Sequence, residues 1–157
     1  MDYTIREMKQ EKYVLLSDFL YEAIYIPDGV EPPPKSVIDI PELQEYIVDF
    51  GTRKQDWALA AEVEGQIVGV VWVRIMNDYG HIDDNTPSLA MSVHQNYRGH
   101  GIGTALLKEL LSILKEQGCP KVSLSVQKAN YAVKMYQAAG FHVVSETEEE
   151  YVMVVDL

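Results

Sequence analysis

The sequence is poor in cysteine, with Cys119 alone among 157 residues. A single thiol excludes an intrachain disulfide and any metal site built on several cysteines, and it suits a reducing cytoplasm. Long apolar runs are also missing. The longest, Ile67 to Val73, is interrupted by Gly69 and falls far short of the ~20 residues that cross a bilayer, so no membrane partner is expected. The first 25 residues mix charged with apolar side chains and show no basic segment leading into an unbroken apolar core, so no secretory leader is expected. Bases are scarce: 13 Lys and Arg stand against 24 Asp and Glu, a net charge of −11, which argues against a nucleic-acid partner. With 47% hydrophobic and 24% charged residues the chain is neither disordered nor collagenous. Its length predicts one soluble domain over residues 1–157.

The charge is unevenly spread. Residues 1–84 carry 7 bases against 17 acids, residues 85–145 carry six bases against Glu109 and Glu116, and residues 146–157 carry five acids and no base. A basic middle in an acidic chain suits a surface that receives an anion beside one that prefers a cation, although uneven solvated faces give the same pattern.

Periodicity yields the order βααβββαβαββ and one mixed α/β domain. Tyr3 to Met8 alternates as a strand, and Glu11 to Tyr25 and Pro41 to Phe50 have helical spacing around a proline-rich loop at 27–36. Trp57 to Val63 and Gln66 to Ile75 read as a hairpin joined at Glu64-Gly65. Ser88 to Val93 is a short strand, followed by a helix from Ile102 that ends at Gly118. A strand over Val122 to Val126, a helix over Tyr131 to Ala139 capped by Asn130, and strands over Phe141 to Ser145 and Tyr151 to Leu157 complete the chain.

The chemistry is concentrated where the Ser88 to Val93 strand meets that helix. Gly99, Gly101 and Gly103 allow backbone to approach a ligand, and the first-turn N–H groups of the helix have no acceptor within it, a geometry that binds phosphate. A dinucleotide fingerprint would need glycine where Thr104 stands, and a P-loop would need Gly-Lys-Ser/Thr, so neither fits. Four dispersed histidines, His81, His94, His100 and His142, have no metal-ligand spacing and are expected on surfaces or in packing, with no metal bound. Cys119, Ser123 and Ser125 lack the setting of a nucleophile.

Arg98-x-x-Gly101-x-Gly103 resembles the Arg/Gln-x-x-Gly-x-Gly/Ala signature of the GNAT superfamily of acetyl-CoA-dependent N-acetyltransferases. Asn130 after the next strand and Tyr136-x-x-x-Gly140-Phe141 are similar to that family's later elements. The resemblance spans residues 56–145. It implies a mixed, mostly antiparallel sheet with splayed central strands and flanking helices. It further implies that acetyl-CoA is the acyl donor, with backbone groups of Met91 and Val93 on its pantetheine arm and Arg98, Gly99, His100, Gly101, Ile102, Gly103 and Thr104 around its pyrophosphate. Asn130 would contact the cofactor, and Tyr136 would lie near the sulfur as the catalytic residue.

The implied reaction is direct acetyl transfer to a primary amine of a small molecule or peptide, in the cytoplasm, with a homodimer left open. A lysine-like ammonium with pKa ~10.4 costs about 4.6 kcal/mol to deprotonate at pH 7, so such an acceptor needs a base or a desolvating pocket. Glu22, Glu62, Asp83 and Asp84 are candidates. The acceptor is expected against residues 21–36, Trp57 and the loop 76–87. A non-catalytic acyl-CoA-binding module is the alternative, and Tyr136 favours the enzyme.

Overall fold

The computed structural model describes residues 2–76 and 81–157, and its architecture follows from two strands that are apolar on both faces. β2 (Trp57–Val63) and β3 (Gln66–Arg74) form an antiparallel hairpin. Glu64 and Gly65 at its turn have φ of 51° and 81°, the conformation that matches strand twist. Successive side chains leave a strand on opposite faces, so Leu59, Val71 and Val73 enter one core while Ala58, Ala60, Val70 and Trp72 enter another. A strand covered on both faces needs an apolar run, which Ile67 to Val73 supplies.

The helix α3 (Ile102–Glu116) covers the first face with Leu106, Leu107, Leu110 and Leu114. The second is covered by α1 (Leu16–Ala23) and by the segment after α2 (Pro41–Gln44), through Leu16, Phe19, Leu20, Tyr46 and Phe50. The strands β1 (Thr4–Glu7), β4 (Ser88–Val93), β5 (Lys121–Gln127), β6 (His142–Glu146) and β7 (Glu150–Asp156) complete a seven-stranded sheet ordered β1-β2-β3-β4-β5-β7-β6. The remaining helix, α4 (Ala132–Ala138), follows β5. Every pairing is antiparallel except that of β4 with β5, which is parallel and registered at one pair, Ser88 with Ser123. Beyond that pair the two strands part, as the expected splayed mixed sheet requires. Among the described residues no helix is long and apolar enough to cross a membrane.

Two expected helices are shorter than their periodicity. The segment from residue 11 begins as a 3₁₀ turn, Gln10–Leu15, before α1. The helix expected over Pro41 to Phe50 stops at Gln44, and the reason lies on β3. Arg74 Nη1 donates to the carbonyls of Glu45 and Val48 at 3.0 and 2.7 Å, and Trp72 Nε1 donates to Tyr46 O at 3.1 Å. Carbonyls that would accept i+4 N–H groups are thus held by buried side chains of the sheet.

Arg74 is fully buried. Its Nε and Nη2 donate to the two oxygens of Asp56 at 3.0 and 2.9 Å, and its guanidinium lies 5.2 Å from the Phe50 ring centre. Asp56 also accepts the N–H groups of Gly51 at 2.8 Å and Arg53 at 3.1 Å. Burial alone would raise the Asp56 pKa, but the hydrogen bonds from Arg74, Arg53 and Gly51 outweigh it and hold the carboxyl below its ordinary value. Removing one partner leaves the other charge buried and uncompensated. Asp56→Ala is therefore expected to lose about 3–5 kcal/mol in urea denaturation. Because the folded pKa is depressed, the Asp56 contribution is complete above the unfolded value near ~3.9 and is lost as pH falls through the folded pKa. A wild-type denaturation series from pH 7 downward is expected to show a loss in that acid range that Asp56→Ala lacks.

Candidate active site

The parting of β4 from β5 exposes backbone. His94 N–H donates to Val68 O at 2.8 Å, and the registered pairs of β3 and β4 continue from there. Antiparallel alternation therefore turns the polar groups of Ser92, Ala90 and Ser88 toward β3 and those of Val93, Met91 and Leu89 toward β5. With β5 engaged at Ser88, the N–H groups of Met91 and Val93 face an open cleft of about 1130 Å³ between the strands. This is an unfilled strand edge, able to pair with an extended amide-bearing ligand.

One end of the cleft is the turn from β4 to α3. Among the described residues, the backbone N–H groups of Gly99, His100, Gly101, Ile102, Gly103 and Thr104 make no hydrogen bond, and the first helical bond runs from Ala105 N to Gly101 O at 3.0 Å. Gly99 and Gly101 both have φ of 81°, and a Cβ at either would meet nothing within 4 Å. Glycine serves this turn through its backbone conformation, which presents six successive donors at a helix N-terminus. Arg98 Nε donates to Val93 O at 2.8 Å, which ties this turn to the end of β4 and sets the guanidinium at the cleft. The donor set suits a pyrophosphate, and the strand edge suits a pantetheine arm, so the residues fit coenzyme A.

The opposite wall comes from β5 and α4. Asn130 Oδ1 accepts the Ala132 N–H at 2.9 Å, so Asn130 caps the first turn of α4 while lining the cleft. The far end of α4 explains the Tyr-x-x-x-Gly-Phe spacing. Gly140, with φ of 105°, donates to Gln137 O at 3.0 Å, and Phe141 donates to Tyr136 O at 3.0 Å. This is the paired bond of a Schellman motif, and it seals the Phe141 ring edge-on against Tyr136 at 5.7 Å. Tyr136 is buried and lines the cleft. Its hydroxyl has no hydrogen-bond partner among the described residues, and desolvation pushes its pKa up to about 12.

Of the expected site residues, Met91, Val93, Arg98, Gly99, Gly101, Ile102, Gly103, Thr104, Asn130 and Tyr136 all line this cleft. His100 does not, and it is exposed. The acceptor surface needs correction. Residues 22–26, Asp28 and Pro32 line the cleft, as expected. Trp57 does not, because it shares the strand face of Leu59 and packs toward α3, with its indole N–H buried and without a partner among the described residues. Of the loop 76–87, residues 77–80 lie outside the described residues, and 81–87 do not reach the cleft.

Three of the four candidate bases are also elsewhere. Glu62 pairs with Arg6 at 3.2 Å. Asp83 closes its own turn, accepting from Asn85 N–H at 2.8 Å and Thr86 Oγ1 at 2.9 Å, bonds that hold its carboxyl below the ordinary value. Asp84 is exposed, 3.8 Å from His81 Nε2. Glu22 lines the cleft, with Oε2 2.7 Å from His94 Nδ1. Sequence reasoning missed Leu43 and Tyr46, which reach the cleft because the chain after α2 folds back over the sheet. Tyr25, within the expected segment, donates its hydroxyl to Ala129 O at 3.4 Å on the opposite wall.

Comparison with known proteins agrees with this geometry. Residues 20–141 match the family model described as acetyltransferase (GNAT) family. An acetyltransferase of Sodalis glossinidius is 42% identical over 84 residues, 52% of this chain and 54% of that protein. One of Pectobacterium atrosepticum is 40% identical over 91 residues, 57% and 60% of the two chains. The matched segment thus spans little more than half the length of these curated relatives. The fold is similar to that of the PaiA N-acetyltransferase of Thermoplasma acidophilum in complex with coenzyme A. The TM-score is 0.72 at 22% identity, over 100% of both chains.

Gly103 offers a clean test of the donor row. A Cβ there meets Met135 Sδ at 3.6 Å and Met91 Cε at 3.8 Å, which is ordinary contact. Gly103→Ala is expected to fold normally and to bind acetyl-CoA within about threefold of wild type. Gly103→Asp places a carboxylate at the same helix N-terminus and is expected to weaken calorimetric affinity at least about tenfold, or ~1.4 kcal/mol.

Proposed function

The chain belongs to the acetyltransferase (GNAT) family, and on that footing we propose that it transfers acetyl from acetyl-CoA directly to a primary amine of a small molecule or peptide. The proposed unit is one cytoplasmic domain over residues 1–157. One observation carries the reading: the open β4 edge, the free amides of Gly99 and residues 101–104, and the Tyr136 hydroxyl, which has no partner among the described residues, share a single cleft.

Bound acetyl-CoA would supply an activated thioester, and the chain's own groups do the rest. The amides of residues 99–104 hold the pyrophosphate, and Met91 pairs with the arm. The Val93 N–H polarises the carbonyl oxygen, a fixed donor aimed at developing charge. Tyr136 donates its hydroxyl to the departing thiolate. With its pKa at about 12, giving the proton away to a thiolate of ordinary pKa ~8.5 is strongly uphill, so Tyr136 stabilises by hydrogen bonding and keeps its proton. At the acceptor end, Glu22 and Asp28 stand among Leu20, Ile24, Tyr25 and Leu43, a lining that suits a cationic amine on an apolar body.

An amine screen with mass analysis of the product tests the reading. Acetylated amine and released thiol are expected, whereas binding without turnover would indicate a regulatory module. For Tyr136→Phe, single-turnover acetyl transfer is expected to fall roughly 10²-fold while acetyl-CoA affinity stays within a few-fold. A wild-type chemical rate in the folded variant would remove Tyr136 from the chemistry.

A further inference from the structure

One carboxylate at the acceptor end of the cleft is held in place from several directions. The buried Ser92 hydroxyl on β4 donates to Phe19 O on α1 at 2.6 Å. The Phe19 ring stacks on the His94 imidazole, with centroids 4.6 Å and planes 24° apart. His94 is itself anchored through its backbone N–H to Val68 O at 2.8 Å, and its Nδ1 lies 2.7 Å from Glu22 Oε2. Phe19 and Glu22 are three residues apart and share one face of α1. These ties bring Glu22 to the end of β4, one residue beyond Val93.

The competing carboxylates of the cleft are less suited. Glu150 Oε1 accepts from Gln127 Nε2 at 2.9 Å on the other arm of the splay. Asp28 sits on an exposed turn beyond α1. The Glu22 side chain is 33% exposed, so it is reachable as well as held. Its Oε1 has no partner among the described residues.

We propose that Glu22 is the general base that deprotonates the acceptor ammonium, and that His94 is a positioning residue holding its carboxylate at the end of β4. This assignment rests on the acetyltransferase reading above. One proton leaves the ammonium nitrogen for Glu22 Oε1. The lone pair so freed forms the new N–C bond as the thioester C–S bond breaks. A second proton lost by the nitrogen ends on the thiol, and Glu22 returns its own proton to water in the open cleft. His94 donates Nδ1–H to Oε2 throughout, which leaves Oε1 for the acceptor.

A base is needed for an acceptor that arrives charged and dispensable for one that arrives neutral, a distinction that packing cannot imitate. Single-turnover rates at pH 7 are compared for 2-phenylethylamine, or the alkylamine that a screen selects in its place, and for O-benzylhydroxylamine, an aminooxy nucleophile of similar size that is neutral at this pH. Glu22→Gln keeps an oxygen for His94 and is expected to bind acetyl-CoA within about twofold. It should lose at least ~10²-fold with the alkylamine and less than about tenfold with the neutral aminooxy acceptor. His94→Ala is expected to lose roughly tenfold or more with the alkylamine, and His94→Asn, which keeps a donor in place of Nδ1, to recover most of it. Equal losses with both acceptors, or wild-type rates in Glu22→Gln, would overturn the assignment. A wild-type protein that binds acetyl-CoA and acetylates no amine would instead overturn the acetyltransferase reading beneath it.

Discussion

Backbone N–H and C=O groups without partners are costly inside a protein, and this sheet leaves a run of them where β4 parts from β5 beyond Ser88 and Ser123. A continuous parallel pairing would have closed the sheet and left no site. The splay instead keeps the N–H groups of Met91 and Val93 open, and the turn that follows adds six more donors before α3 closes its first hydrogen bond. Strand edge and helix start are consecutive in the chain. One ligand that is amide-bearing along its length and anionic at its end can therefore satisfy both.

Keeping such a gap open requires rigidity on both sides. On one arm, β3 and β4 lie between two apolar layers, and Ser92 fastens α1 to β4 through Phe19 O. On the other, β5 is paired along its full length with β7, and Asn130 and the Schellman motif fix α4 at either end. The Arg74 and Asp56 pair extends this support to the irregular segment after α2, which presents Leu43 and Tyr46 to the acceptor side. A guanidinium buried without those carbonyls and that carboxylate would be untenable. The shape of that wall of the cleft is thus tied to a charge pair that does not line the cleft.

How much of this was legible depended on how local the cause was. The β4 boundaries could be read from residues 88–93 because the next residues begin a glycine-rich turn, and the end of α4 because Gly140 and Phe141 form a motif within six residues. The truncation of α2 was not legible, since the side chains that take its carbonyls come from Trp72 and Arg74, 26 to 29 residues away. Arg74 did leave a signal, as the one charge set between Val73 and Ile75 at the end of a buried run. Trp57 was placed on the wrong side of the sheet, although its two-residue spacing from Leu59 was available. The Glu22 and His94 pair joins residues 72 apart, which no local pattern announces.

The central claim is that the unpaired amides of β4 and the following turn receive the cofactor. Amide-resolved hydrogen exchange with and without acetyl-CoA addresses it directly. Added acetyl-CoA should slow exchange at Met91, Val93 and Gly99 through Thr104, while exchange along the exposed edge strand β6 stays as it was. Slowed exchange confined to other elements, with residues 91–104 unchanged under saturating acetyl-CoA, would contradict the account.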